Sequence, residues 1–436
     1  MTRRPRAATA LRGWKAVVVG LGRFGGGEGA LRFLCAEGAE VTLVDQAEEA
    51  TLAPALARVR DLPFKIRLGR QTLADCAEAD LVVMNPAVKP DDPLRLALIA
   101  RGTPVTSEIA LFLERCEAPV LGVTGSNGKS TTASLAANLL AAGGARVHFG
   151  GNIGKSLLMD LKDIGPSDRV VLELSSFQTK DFARLEVGVQ AAVITNLTPN
   201  HLDYHGSFEA YAAAKRQLLD TLPEGGWAAL NPEDPVLAEW TGRWRQAPVP
   251  EEVPEVPALP GAHNRMNLRL ALAGARALTP GLAVASDALK NFKALPHRLE
   301  LVAEKDGVRY YNDSKATTPE AAITALKAFP SGTIHAIVGG RNKGVDLTPL
   351  AEALLERAKA IYLIGEAAGE IGILLERLGQ GPEIIVAAAR DRAVAEATKR
   401  ARRGEVVLLS PACASYDQFS NYEARGEAFR DLAAAR

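Results

Sequence analysis

The stretch Gly122-Val123-Thr124-Gly125-Ser126-Asn127-Gly128-Lys129-Ser130-Thr131-Thr132 decides the fold. An apolar run, Pro119–Val123, leads into it, and an Ala/Leu-rich helical pattern leads out. Glycines let backbone N–H groups approach phosphate oxygens, and a helix N-terminus adds favourable partial charge. On this reading Gly125, Asn127 and Gly128 shape the loop that holds ATP. Lys129 reaches the β- and γ-phosphates, and a hydroxyl, Ser130 with Thr131 beside it, holds Mg²⁺. The pattern GxxxxGK[ST] asks for glycine at position 123, where Val123 stands; glycine stands instead at 122 and 125. An ordinary glycine-rich turn is the alternative. The place of Gly128-Lys129-Ser130-Thr131, between strand and helix, argues against it.

Outward from this loop, short β-branched runs alternate with helical patterns along the whole chain. That alternation predicts an α/β protein with parallel sheets and crossover helices. Upstream, Ala16–Val19, Glu40–Asp45 and Leu81–Met84 read as strands, with a helix over Glu28–Glu37. Downstream, Val170–Leu174 and Ala191–Thr195 are buried strands, and Ser207–Asp220 is a capped amphipathic helix. Residues 246–260 carry five prolines and read as an extended surface connection, after which His263–Leu278 resumes helical spacing. Thr333–Val338, Ala360–Ile364, Glu383–Val386 and Glu405–Leu409 are strands of a last block. Three domains follow: 1–105, 106–295 and 296–436.

The 436 residues include 51 basic and 51 acidic side chains, so no global charge draws the chain to nucleic acid or anionic lipid. No run of about 18 apolar residues predicts a membrane span. Four scattered cysteines without a CxxC fit neither a disulfide framework nor a metal cluster, and suit a reducing cytoplasm. Arg3, Arg4, Arg6 and Arg12 lack the apolar run of a signal peptide, so residues 1–12 read as a disordered tail.

Gly20-Leu21-Gly22-Arg23-Phe24-Gly25 fits GxGxxG directly after a strand, and Asp45 follows 20 residues past Gly25. This is a dinucleotide fingerprint that specifies a diphosphate without saying which nucleotide carries it; a merely tight turn is the other reading. Gly26 and Gly27 extend the loop and would widen it or postpone the helix. Glu173 ends an apolar strand, where a carboxylate needs a cation, and Mg²⁺ is at hand beside a phosphate loop. Asn196–His205 places two of the six histidines after another strand. Lys215, among Ala212, Ala213 and Ala214, reads by itself as a solvated helix lysine.

The loop at 122–131 is joined by Glu173-Leu174-Ser175-Ser176-Phe177-Gln178, Asn196–His205, Pro296-His297-Arg298, Asn312-Asp313-Ser314-Lys315-Ala316-Thr317 and Ser410–Phe419. In this order they resemble the Mur ligases over nearly the whole chain. The resemblance implies a Rossmann-like N-terminal domain for uridine diphosphate, a central P-loop ATPase-type domain and a Rossmann-like C-terminal domain. The last two segments point to the branch that adds D-glutamate to UDP-N-acetylmuramoyl-L-alanine, through an acyl phosphate, in cytoplasmic peptidoglycan precursor synthesis. A monomer acting on these small molecules, without nucleic acid or membrane insertion, is expected.

By the same resemblance, Arg23, Phe24, Asp45, Gln46 and Asn152 face the uridine-linked substrate. Ser130, Glu173, His201 and a carbamylated Lys215 hold two magnesium ions. Asn264, Asn267, Arg298 and Asp313 contact adenosine, and Lys315 approaches the terminal phosphate. Thr317, Lys343, Ser415, Tyr416 and Tyr422 hold D-glutamate. Asn200 stands where the family usually has Asp. A sibling ligase adding another amino acid, or acting on folate, is the runner-up. A nucleotide-binding regulator fits less well, since it needs no metal site.

Overall fold

The computed structural model describes residues 11–22, 25–284, 286–379 and 381–435. It is a three-domain α/β protein with one sheet per domain. The first sheet takes β1 (Lys15–Val19), β2 (Glu40–Val44), β3 (Phe64–Arg67), β4 (Leu81–Met84) and β5 (Val105–Thr106) in the order β3-β2-β1-β4-β5, all parallel. Its switch point, where strand order reverses, lies between β1 and β4. Ligands of open α/β sheets bind outside the carboxyl ends of strands at such a point.

The second sheet takes β6 (Val120–Thr124), β7 (Val147–Gly151), β8 (Arg169–Glu173), β9 (Ala191–Ile194), β10 (Trp227–Leu230) and β11 (Arg245–Gln246). Its order is β11-β10-β9-β6-β8-β7, again all parallel. The third takes β12 (Glu300–Lys305), β13 (Val308–Asn312), β14 (Ile334–Gly339), β15 (Ala358–Ile364), β16 (Glu383–Ala388) and β17 (Val406–Ala412) in the order β12-β13-β17-β14-β15-β16. Only the β12–β13 pair is antiparallel. Most apolar runs read as strands are buried central strands: Val170, Val171, Val193, Ile194, Leu408 and Leu409 have no exposed surface, whereas Glu383–Val386 lies in the edge strand β16, with Val386 61% exposed. Strands covered on both faces read as continuous apolar runs.

Met1–Val253 with Asn267–Ala285 form one compact unit, and Pro254–Met266 with Ser286–Arg436 a second. The first two sheets share one apolar cluster, which runs from Leu31, Leu34 and Leu43 to Leu172, Phe182 and Ile194. The last block has its own cores, around Leu350, Leu354 and Leu363 and around Tyr362, Val407 and Phe429.

Two expectations change. Most of the expected tail lies outside the described residues, but Leu11 is fully buried in the shared cluster, because its side chain completes the apolar face beside the first sheet. Gly26 and Gly27 do not postpone the first helix, which begins at Gly26 with Gly25 as its left-handed cap, φ 84°. A Cβ on Gly27 would stand 2.2 Å from the Leu21 carbonyl oxygen. That glycine is there for close packing of helix on loop.

Candidate active site

The carboxyl ends of β6, β8 and β9 bring three loops together. After β6 the chain turns through Gly125 (φ 144°) and Gly128 (φ 80°) into the helix Lys129–Ala142. Both glycines are required: a Cβ would meet Thr195 Oγ1 at 2.0 Å or Asn267 Oδ1 at 2.4 Å. Ser126 N–H donates to the Asn196 carbonyl (2.8 Å), and Asn127 N–H to Asn196 Oδ1 (2.8 Å). Ser126 Oγ donates to the Thr198 carbonyl (3.0 Å) and meets the buried Tyr211 hydroxyl at 2.9 Å. Lys129 Nζ donates to the carbonyls of Gly125 (3.0 Å) and Ser126 (2.8 Å). Ser130 and Thr131 are buried in the first turn of the helix. Asn267 accepts from Thr132 Oγ1 at 3.2 Å, so it borders the loop from a distant helix.

Glu173 ends β8 and is 3% exposed. Asn152 Nδ2 donates to its Oε1 (2.9 Å), and Asn152 N–H to its backbone carbonyl (2.8 Å). Lys215, on the helix Phe208–Asp220, is 1% exposed. Its Nζ donates to Thr124 Oγ1 (3.2 Å) and lies 4.8 Å from the Tyr211 ring centroid. Burial, and then the Lys129 ammonium, pull the Lys215 ammonium well below the usual lysine value; Glu173 opposes them. The solvated helix lysine suggested by its alanine neighbours is therefore a buried amine beside a phosphate loop. Helical periodicity turns it inward, with Tyr211 and Leu218, toward the carboxyl end of β6.

His201 has a left-handed backbone, φ 53°, and starts the one-turn helix Leu202–His205. Asn200 Oδ1 accepts from the His201 N–H at 2.9 Å and so props that turn. Burial, then Lys129 and Lys215, lower the His201 imidazole below its usual pKa. His205 Nε2 pairs with Ser176 Oγ at 3.0 Å.

In the first domain, Asp45 accepts from the Leu21 and Ala47 N–H groups (2.8 and 2.9 Å), which pins the glycine loop to the end of β2. Gln46 is exposed. Arg23 and Phe24 lie outside the described residues. Asn85, the residue after β4, lies over the loop: its Nδ2 donates to the Gly20 carbonyl at 3.3 Å, and a Cβ on Gly22 would meet it at 2.5 Å. A Cβ on Gly25 would stand 3.1 Å from the Gly154 carbonyl oxygen, so this loop adjoins the Asn152 loop of the central domain.

In the last block, the ends of β13, β14 and β17 converge. Asp313 accepts from Leu299 N–H (3.1 Å) and Ser410 Oγ (2.8 Å), and burial raises its carboxyl to about 7. Lys315 Nζ lies 5.2 Å from the Tyr422 ring centroid. Ser415 is buried, Thr317 half-buried, Lys343 exposed and Tyr416 61% exposed. Asn264 is buried and donates to the Pro260 carbonyl. Arg298 follows His297, which is buried and has φ 62°. Arg425 escaped the sequence reading. It is buried and donates to Ser314 Oγ (3.0 Å), the Ser314 carbonyl (2.9 Å) and the Cys413 carbonyl (3.1 Å), which joins two of the three loops. No local signal marks an arginine in a polar helix as a bracket.

The comparisons agree over the whole chain. The family description Mur ligase MurD-like, N-terminal domain, matches residues 14–107. Mur ligase middle domain matches 123–253, and Mur ligase, glutamate ligase domain, matches 297–413. Similar proteins include the UDP-N-acetylmuramoylalanine--D-glutamate ligase of Koribacter versatilis, 37% identical over 450 residues and 97% of each chain. That of Geotalea uraniireducens is 38% identical over 96% of each chain. In fold, the chain is similar to the UDP-N-acetylmuramate-alanine ligase MurC of Thermotoga maritima (TM-score 0.60, 19% identity, 97% of this chain and 99% of that one). It is equally similar to the MurF ligase of the same organism, solved with ADP (TM-score 0.60, 18% identity, 100% and 99%). With these matches over the phosphate loop, the central site and the third domain, the chain belongs to the Mur ligase family of ATP-dependent, amide-bond-forming ligases.

Proposed function

We propose that this protein joins D-glutamate to UDP-N-acetylmuramoyl-L-alanine, driven by ATP, as a cytoplasmic monomer in peptidoglycan precursor synthesis. The observation that carries the reading is the convergence of Lys129, Glu173 and the buried Lys215 at the carboxyl ends of β6 and β8. A carboxylate is a poor electrophile toward an amine. Transfer of the ATP γ-phosphoryl group to the L-alanyl carboxylate makes an acyl phosphate and ADP. Attack by the neutral D-glutamate amine then forms the C–N bond, breaks the bond from the carbonyl carbon to the phosphate oxygen, and releases phosphate and one amine proton. Lys129, with the loop N–H groups, spreads the charge that develops on the phosphoryl oxygens.

Ser130, Glu173 and His201 would hold magnesium, which when bound neutralises phosphate charge. Among the described residues, no group of three or more His, Cys, Asp and Glu side chains forms a ready metal site. A further anion would complete such a set, and a carbamate on Lys215 would supply it. In its neutral form the amine would add to CO₂, forming an N–C bond and losing one proton to solvent; the resulting carbamate is an anion, and the set would then suit two ions. Arg23, Phe24, Asp45, Gln46 and Asn152 serve the uridine-linked substrate. Asn264, Asn267, Arg298 and Asp313 serve adenosine, and Lys315 the phosphate. Thr317, Lys343, Ser415, Tyr416 and Tyr422 serve D-glutamate, with Lys343 pairing one carboxylate. The domains that divide this work are 1–105, 106–295 and 296–436.

The test is phosphate release with UDP-N-acetylmuramoyl-L-alanine and ATP, with D-glutamate set against L-glutamate, L-lysine and diaminopimelate. Release that depends on D-glutamate is expected. Release indifferent to it, or supported equally by another amino acid, overturns the reading.

A further inference from the structure

The chain between β8 and β9 is tied to the first domain by side chains with no part in the reaction above. Lys180 Nζ donates to the carbonyls of Pro86 (3.0 Å) and Val88 (2.8 Å). The Tyr204 hydroxyl lies 2.8 Å from each of the same two oxygens. Lys180 also bonds that hydroxyl, and its ammonium sits 4.7 Å from the Tyr204 ring centroid. One residue on, Asp181 pairs with Arg95 of the first domain, and Arg184 donates to the Val105 carbonyl at 3.1 Å.

The clasped backbone is the loop that leaves β4 at the switch point. Asn85 opens that loop and lies over Gly20 and Gly22, with its own Oδ1 accepting from Ala87 N–H at 2.9 Å. On the other side, Tyr204 belongs to the short helix that His201 begins. The clasp therefore touches both the glycine loop's cover and the segment carrying His201. A lysine free to extend into water would do so, since burial pulls this ammonium down to about 7. Three oxygen acceptors offset that cost, and removing them or the ammonium leaves the other side unsatisfied.

We propose that Lys180 is a positioning residue for the uridine-linked substrate: with Tyr204 it fixes the Pro86–Val88 backbone at the switch point, so that the loop opened by Asn85 is formed before substrate arrives. The inference rests on the reading that the first domain takes a uridine nucleotide. Preorganisation of this kind appears in the affinity for one substrate and spares the others.

Lys180→Met keeps the side chain's length and removes its charge; Tyr204→Phe removes only the hydroxyl. In Lys180→Met, the KM for UDP-N-acetylmuramoyl-L-alanine is expected to rise about tenfold, while those for ATP and D-glutamate stay within about twofold. Tyr204→Phe should move the same constant less. The double variant should resemble Lys180→Met, because both side chains act through the same carbonyls. Amide hydrogen exchange at Ala87 and Val88, without substrate, should quicken in both. A fall in Tm with all three KM values unchanged, or a rise shared by all three, overturns the proposal. If Lys180→Met does not fold, Tyr204→Phe decides on the same criteria. Wild-type protein that fails to bind the uridine-linked substrate overturns the functional reading and this inference with it. Wild-type protein that binds, beside variants that bind as well, overturns this inference alone.

Discussion

Lys215 and Asp313 hold their places against the ordinary preference of a charge for water. The Lys215 ammonium is lowered by burial and Lys129, so its contribution to stability is greatest above the unfolded lysine value and falls as pH drops toward the folded one. At neutral pH, Lys215→Met should melt no lower than wild type in bicarbonate-free buffer, yet lose at least about 100-fold in activity if the lysine supplies a metal ligand. Lys215→Ala should regain part of that activity with acetate, whose carboxylate can stand in for the carbamate; a small initial loss, or no rescue, argues against that role. Asp313 shows the opposite sign. Its carboxyl is raised by burial from 3.8 to about 7, so stability is fully present below 3.8 and is lost as pH rises toward 7. Asp313→Asn should gain stability relative to wild type as pH rises between those values, and lower affinity for ATP if the residue contacts adenosine. A difference in Tm between wild type and Asp313→Asn that does not change over that window contradicts the burial argument.

At the scale of elements, consecutive glycines separate by what surrounds them. Gly26 has nothing within 4 Å of an added Cβ, whereas Gly27 meets the Leu21 carbonyl at 2.2 Å. Gly26→Ala should be neutral or stabilise by up to about 1 kcal/mol, since alanine suits a helix better. Gly27→Ala should cost about 1–3 kcal/mol, because backbone must shift. Urea denaturation of the two variants reads this, and equal effects would refute it. Gly128, with φ 80° and Asn267 at 2.4 Å, belongs with Gly27, and Gly128→Ala should weaken ATP binding as well as the fold. The sequence shows three glycines in a row at 25–27 and cannot rank them, because the rank depends on a carbonyl that folds over one of them.

At the scale of the molecule, the first two sheets share an apolar cluster and the Lys180 clasp, while the last block keeps its own cores. Calorimetry should therefore resolve two unfolding transitions and not three. A single transition, or a separate one for the first domain, contradicts that grouping. The sequence by itself determined most of the central strands, since central parallel strands are apolar on both faces and announce themselves as Val170–Leu174 or Glu405–Leu409; β3, β5, β7, β11 and β12 at sheet edges, with β10 and β13 beside them, carry no such signal and are visible only in the fold. It also determined the phosphate loop, whose glycines, lysine and hydroxyl are contiguous and whose chemistry is local. The family resemblance singled out Lys215, which physics alone left as a surface lysine. Only the tertiary structure decided that its amine is buried on Thr124, 91 residues away. The same holds for Lys180 on Pro86, 94 residues away, and for Arg425 on Ser314, 111 residues away. Each of these side chains owes its role to partners that chain folding brings near, and neither hydrophobic period nor residue spacing carries that information.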